Sequence, residues 1–251
     1  MKHALLFLLS AGMAGLVQAQ AAEAPAISIR TFASEEKLSN NSPNWRESGV
    51  GVKFDLKPRQ TLDLAASDVH RFGIHDSQYA LGYTQPLNPQ LVVNVGATAS
   101  PTHRFLARHA FTAGMQYEFA KAWLIHAGMR NSSYDAVSVN EGIFMLERYV
   151  SSFSWALGWR PTRAFDTTVH SYELRGTYYY GDRDSIGLIF GNGEEASSVP
   201  NGIVLTDVRS AALVGRHWLA PRWALSYAAT YSRQGDFYSR KGLNFGIQYA
   251  F

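Results

Sequence analysis

The chain has no cysteine. Disulfide frameworks, zinc–thiolate sites and thiol chemistry are therefore excluded together. Charge is scarce too. Asp, Glu, Lys and Arg make up 17% of the 251 residues, against about 25% in ordinary soluble domains. With 23 basic and 20 acidic residues the formal net charge is only +3, so nothing in the balance calls for a nucleic acid. Beyond the N-terminus there is no long apolar run, and a mean hydropathy of −0.15 is too polar for a bundle of membrane helices. No glycine-rich loop opens a helix, and neither the zinc-protease helix motif nor a calcium-loop pattern occurs. The residues thus indicate no cofactor and no metal. What the chain does have is 13 Tyr, 14 Phe, 6 Trp and 21 Gly, the composition of an aromatic-rich β protein.

The first segment reads as an address. Lys2 and His3 precede an apolar run from Ala4 to Val17, and Ala19-Gln20-Ala21 supplies a small-x-small cleavage pattern. This predicts a signal peptide over residues 1–21, cut after Ala21 with Ala19 as the alternative, and an exported domain over residues 22–251. No cysteine follows the pattern, so it is not a lipoprotein signal.

The remainder alternates with a period of two, the mark of strands with two unlike faces. Leu243, Phe245, Ile247, Tyr249 and Phe251 interleave with Asn244, Gly246, Gln248 and Ala250. Trp223, Leu225, Tyr227, Ala229 and Tyr231 alternate with small and hydroxylated residues. The same holds for Phe153 to Trp159, Trp123 to Met129, Phe111 to Phe119 and Val50 to Leu56. Two stretches resist. Val204 to Arg216 has no clean parity, and Val137 to Tyr149 could turn out either Ile143 and Met145 or Phe144 and Leu146.

Six short turns punctuate the strands: 57–60, 86–89, 120–122, 150–151, 181–184 and 219–222. Longer polar stretches lie between them, at 35–45, 72–76, 100–108, 131–136, 161–167, 192–202 and 234–241. Six turns separating seven hairpins predict fourteen up-and-down antiparallel strands. Merging the two ambiguous strands into loops gives twelve as the second choice. An even strand count, with short turns at one end and longer loops at the other, is the plan of an outer-membrane barrel.

A soluble β-sandwich alternates as well, and three features argue against it. The non-aromatic face is Gly, Ala, Ser, Thr and Asn rather than Lys and Glu. Aromatics such as Trp123, Trp218, Trp223, Tyr149, Phe153, Tyr231 and Tyr249 gather near strand ends, as interfacial girdles do. The chain also stops on an alternating strand ending in Tyr249 and Phe251, the form of a signal for the barrel assembly machinery. Closure into a barrel satisfies the backbone groups that lipid cannot.

The sequence resembles the YaiO-like outer-membrane β-barrel proteins of Gram-negative bacteria. The resemblance is most visible in Asp207 to Arg216, the turn Leu219 to Arg222, and the closing segment Gly242 to Phe251. It implies an outer-membrane location and supplies no catalytic motif. Association of some relatives with envelope polysaccharide systems makes glycan transit an expectation.

The residues offer little for an enzyme. A phospholipase barrel needs a spaced His–Ser pair on an outward face, and His170-Ser171 is adjacent instead. His70 and His75 are five apart, an odd separation that on one strand puts side chains on opposite faces. The inward parity is more informative. It assigns Lys53, Asp55, Asp63, Glu118, His126, Arg130, Glu173 and Arg175 to the lumen, where charges must pair or stay wet. Arg104, Arg108, Arg233, Arg240 and Lys241 flank outer loops, where they are either docks for lipopolysaccharide phosphate or solvated loop charge.

The expected protein is a monomeric, non-enzymatic outer-membrane barrel. It would serve as a narrow, porin-like pore or as an accessory for small solutes or envelope polysaccharide. Its expected partners are outer-membrane lipid, lipopolysaccharide and, during biogenesis, the assembly machinery. A closed-lumen structural or adhesive surface protein is the second reading, and a lipid-modifying enzyme the third.

Overall fold

The computed structural model describes residues 27–199 and 202–251. The expected signal segment, residues 1–21, lies outside them. Every regular element among the described residues is a strand: β1 (Ile27–Leu38), β2 (Trp45–Lys57), β3 (Gln60–Arg71), β4 (Ile74–Pro86), β5 (Leu91–Ala99), β6 (His109–Ala120), β7 (Trp123–Ser133), β8 (Ser138–Val150), β9 (Phe153–Ala164), β10 (Thr167–Tyr180), β11 (Asp184–Val199), β12 (Gly202–Ala220), β13 (Trp223–Gln234) and β14 (Tyr238–Ala250). Each pairs antiparallel with its chain neighbours, and β1 pairs with β14, closing a barrel of 14 strands. Closure leaves no unpaired edge, the condition for placing a sheet in lipid. Phe251 completes the seam by donating its N–H to the Ile27 carbonyl at 3.0 Å.

The short turns and both ends of the barrel chain share one end, the periplasmic one in this architecture. Register shifts fall beside three of these turns, at Asp55/Lys57, Glu118/Ala120 and Trp218/Ala220. There an extra residue lets the strand bend into its turn. The opposite, outer end differs from the expectation of long loops. The stretch 72–76 is a two-residue turn, Phe72-Gly73, with φ of 51° and 81°. The stretch 161–167 narrows to Phe165-Asp166, and β11 and β12 carry the ladder to Val199 and Gly202. Outside the bilayer, polar strands still satisfy their backbone groups by pairing, so the hairpins extend rather than open into loops.

The exterior is the apolar face. Met129, Phe111 and Leu243 expose 64%, 58% and 55% of their surface. An apolar surface this continuous is not left to water; lipid covers it, at about 1.5–3 kcal/mol per large side chain. A periplasmic girdle rings this face: Trp123 packs edge-on against Trp155, Phe153 against Tyr178, and Trp223 against Tyr249, which meets Phe251. Two of the expected girdle aromatics point inward instead. Tyr149 stacks on Tyr179, and Trp218 lies under the guanidiniums of Arg183 and Arg216. Each sits one residue out of phase with the exterior stripe of its strand, and each finds a polar partner inside.

Candidate functional site

The lumen is built from two unlike walls. On β7 to β10 the inward positions carry charges that meet along and across strands. Glu173 on β10 accepts a bond from the guanidinium of Arg175 at 2.7 Å, and Arg160 on β9 reaches both Glu141 at 3.4 Å and Glu173 at 3.8 Å. Nearer the periplasm, His126 Nε2 lies 3.0 Å from Glu147. The ladder produces this network because equal heights on neighbouring strands share a face. Arg130 stands opposite Glu141, and Glu173 opposite Gly158, whose missing side chain leaves room for it. On the facing wall the inward positions are mostly small: Gly51, Ala65, Gly82, Gly96, Ala212 and Gly246.

All eight residues assigned to the lumen have inward parity, and they fall into separate groups. Glu173 and Arg175 belong to the charged network. Lys53 pairs with Asp55 at 2.7 Å and stands opposite Asp63, which accepts a bond from Thr61 at 3.1 Å. Arg130 donates to Ser132 at 3.3 Å, and His126 joins Glu147. Glu118 stays apart, accepting the backbone N–H of Ala122 in the 121–122 turn at 3.0 Å.

The residues that shape the outer mouth were not among those eight. Trp45, inward and buried, meets the guanidiniums of Arg71 at 4.8 Å and Arg240 at 4.4 Å; Arg71 also faces the Phe105 ring at 5.2 Å. Glu36 neutralises Arg240 at 2.7 Å. Arg240 is therefore an inner-wall residue rather than a lipid dock. Phe105 belongs to the 100–108 loop, which folds over the mouth and buries Leu106 and Ala107.

One carboxylate holds that loop. Asp76, with no exposed surface, accepts the backbone N–H groups of Arg104, Phe105 and Leu106, each at 2.9 Å. Successive amides converging on one anion form a nest. Ser100 adds a bond from its hydroxyl to the Ser77 carbonyl at 2.7 Å, and His103 lies 3.4 Å from Asp135 on the neighbouring loop. That loop sets Tyr134 at the mouth, where burial pushes its phenol up and keeps it neutral.

Among the sequence's candidate histidines, His70 and His75 are not on one strand. They face each other across the 72–73 turn, both outward, with ring centroids 5.4 Å apart. His170 points outward and stacks on Trp159 while Ser171 points inward, so they form no catalytic pair.

Residues 27–198 match the family model described as the YaiO membrane beta barrel domain. The chain belongs to this family. It is an outer-membrane protein, as its closed barrel and apolar exterior require. The match stops short of the closing hairpins of this YaiO barrel, whose segments first suggested the family. Among solved structures, the "CymD monoaromatic hydrocarbon channel" aligns with a TM-score of 0.62 at 9% identity, covering 91% of this chain and 89% of that one. A "Bacterial polysaccharide outer membrane secretin" gives 0.59 at 11%, covering 90% and 99%. The Acinetobacter baumannii outer membrane protein Omp33 gives 0.54 at 9%, covering 89% and 98%. At these identities the likeness is one of fold. No curated protein matches the chain.

Proposed function

We propose that this YaiO barrel is a narrow, non-enzymatic channel for small polar solutes, constricted at its outer mouth by the 100–108 loop. The observation that carries this reading concerns Arg30 and Asn94. Both point inward, Arg30 opposite Gly51 and Asn94 between Thr84 and Gly114, yet both remain exposed to solvent. Their exposure supports a path for water along this wall. A barrel of eight strands is filled by its own side chains, and larger ones leave room for a path. Here the small wall leaves that room, and the charged wall gives passing solutes donors and acceptors of both signs. Channel passage uses no catalytic step, in keeping with the divergent faces of His170 and Ser171.

The constriction sets the size limit, and Asp76 sets the constriction. Proteoliposomes containing the barrel should swell in small sugars. Asp76→Asn removes the negative charge and one of the two acceptor oxygens of the nest and frees the loop, so swelling should extend to larger oligosaccharides. Equal size limits in the two proteins would separate the loop from the gate. An extended glycan, as in the polysaccharide reading, would need the same loop displaced.

A further inference from the structure

The exterior of the barrel carries a second feature, on the side away from the charged inner wall. From β3 and β2 across β1, β14, β13 and β12 to β11, the outer half of the lipid face sinks into a depression of about 1230 Å³. Its floor is made of small residues, Ala33, Ala211 and Ala229, and its sides of Phe190, Tyr231 and Phe245. At its outer rim Lys37 on β1 stands directly opposite Lys241 on β14, both outward and both exposed.

Like charges directly opposite in an antiparallel ladder repel, and here no acid offsets them. The acids nearest the rim are already engaged. Glu35 binds Arg46 at 2.9 Å, and Asp68 binds His70 at 2.9 Å. One rung farther along, Arg209 faces Arg233; Arg233 is paired with Asp236 at 2.9 Å, and Arg209 has no ion pair among the described residues. The acids beyond, Asp207 and Glu194, face each other outside the depression.

We propose that this surface is a binding site for the phosphorylated lipid of the outer leaflet, lipopolysaccharide. A lipid A phosphate would bridge Lys37 and Lys241, and its acyl chains would lie in the apolar depression below. Three points on the surface fit that ligand and no soluble one. The site lies on the lipid-facing exterior. Its cations sit at the outer, headgroup level, and its apolar part runs from them toward the bilayer centre. A phosphate also removes the repulsion between the lysines by charge-assisted hydrogen bonds. The site is separate from the bore and does not depend on transport.

The test uses purified full-length barrel in detergent micelles, titrated with bisphosphorylated hexa-acyl lipid A, and reads the temperature at which the folded gel band converts to the unfolded one. Lipid A should raise that temperature, and phosphatidylglycerol should not. Lys37→Gln with Lys241→Gln should weaken the half-maximal lipid A concentration by about tenfold or more. Ala229→Phe, which fills the floor and leaves every charge in place, should weaken it as well. Arg104→Gln, on the mouth loop, should leave it unchanged. No shift with lipid A, an equal shift with phosphatidylglycerol, or unchanged affinity in both the lysine and Ala229 variants would overturn the site.

Discussion

At the scale of single residues, Glu173 is the hinge of the charged wall. Its two oxygens meet Arg175 and Arg160, and it is only 6% exposed. Removing one partner of a buried ion pair leaves the other charge uncompensated, which costs about 3–5 kcal/mol in dry protein. Water in the proposed channel would soften this, so Glu173→Gln should destabilise the barrel by about 2 kcal/mol, seen as a lower urea midpoint for unfolding from lipid. An unchanged midpoint would mean that the arginines are solvated rather than paired. The alternation of the sequence made this residue's inward direction readable, together with those of Lys53 and Arg130. It hid the partners. Glu141 and Glu147 lie on the strand of ambiguous parity. Arg71 borders, and Asp76 ends, a stretch that reads as a polar loop and folds as a two-residue turn.

Among whole strands, the two that resisted reading had physical reasons to do so. On β8, Phe144 and Leu146 face lipid while Ile143 and Met145 face in, so both faces are apolar. Met145 is accommodated because its neighbour in the ladder is Gly158. On β12, Ala211, Ala212, Leu213 and Val214 differ too little in polarity for a period to show. The register comes from the partners, Ile189 opposite Ala212 and Ala229 opposite Leu213. Turns are the other local determinant. Phe165 and Asp166 both have positive φ, 50° and 59°, in a two-residue hairpin turn whose geometry favours Asn-Gly. A bulky residue in this conformation costs about 1–2 kcal/mol. The double change Phe165→Asn with Asp166→Gly should therefore raise the urea midpoint, by about 1 kcal/mol in stability. A fall would show that the Phe165 side chain contributes more than its backbone strain costs.

For the whole molecule, one sheet closed on itself separates three environments. Its exterior is apolar and aromatic, its bore is half charged and half small, and its outer mouth is narrowed by Trp45, Arg71, Arg240 and the loop that Asp76 holds. The strand number, the turns at the periplasmic end and the two-faced pattern were legible because each follows from local periodicity. The mouth was not, because its parts come from β2, β3, β4, β14 and the 100–108 loop, which only closure brings together. A channel requires that water run through this assembly. Single-channel recording of the refolded barrel in planar bilayers tests it most directly. A channel should give discrete conductance steps, larger in Asp76→Asn and altered in ion selectivity by Arg130→Ala. Electrical silence from a barrel that still shows a heat-modifiable folded band, in the native and the Asp76 protein alike, would contradict it.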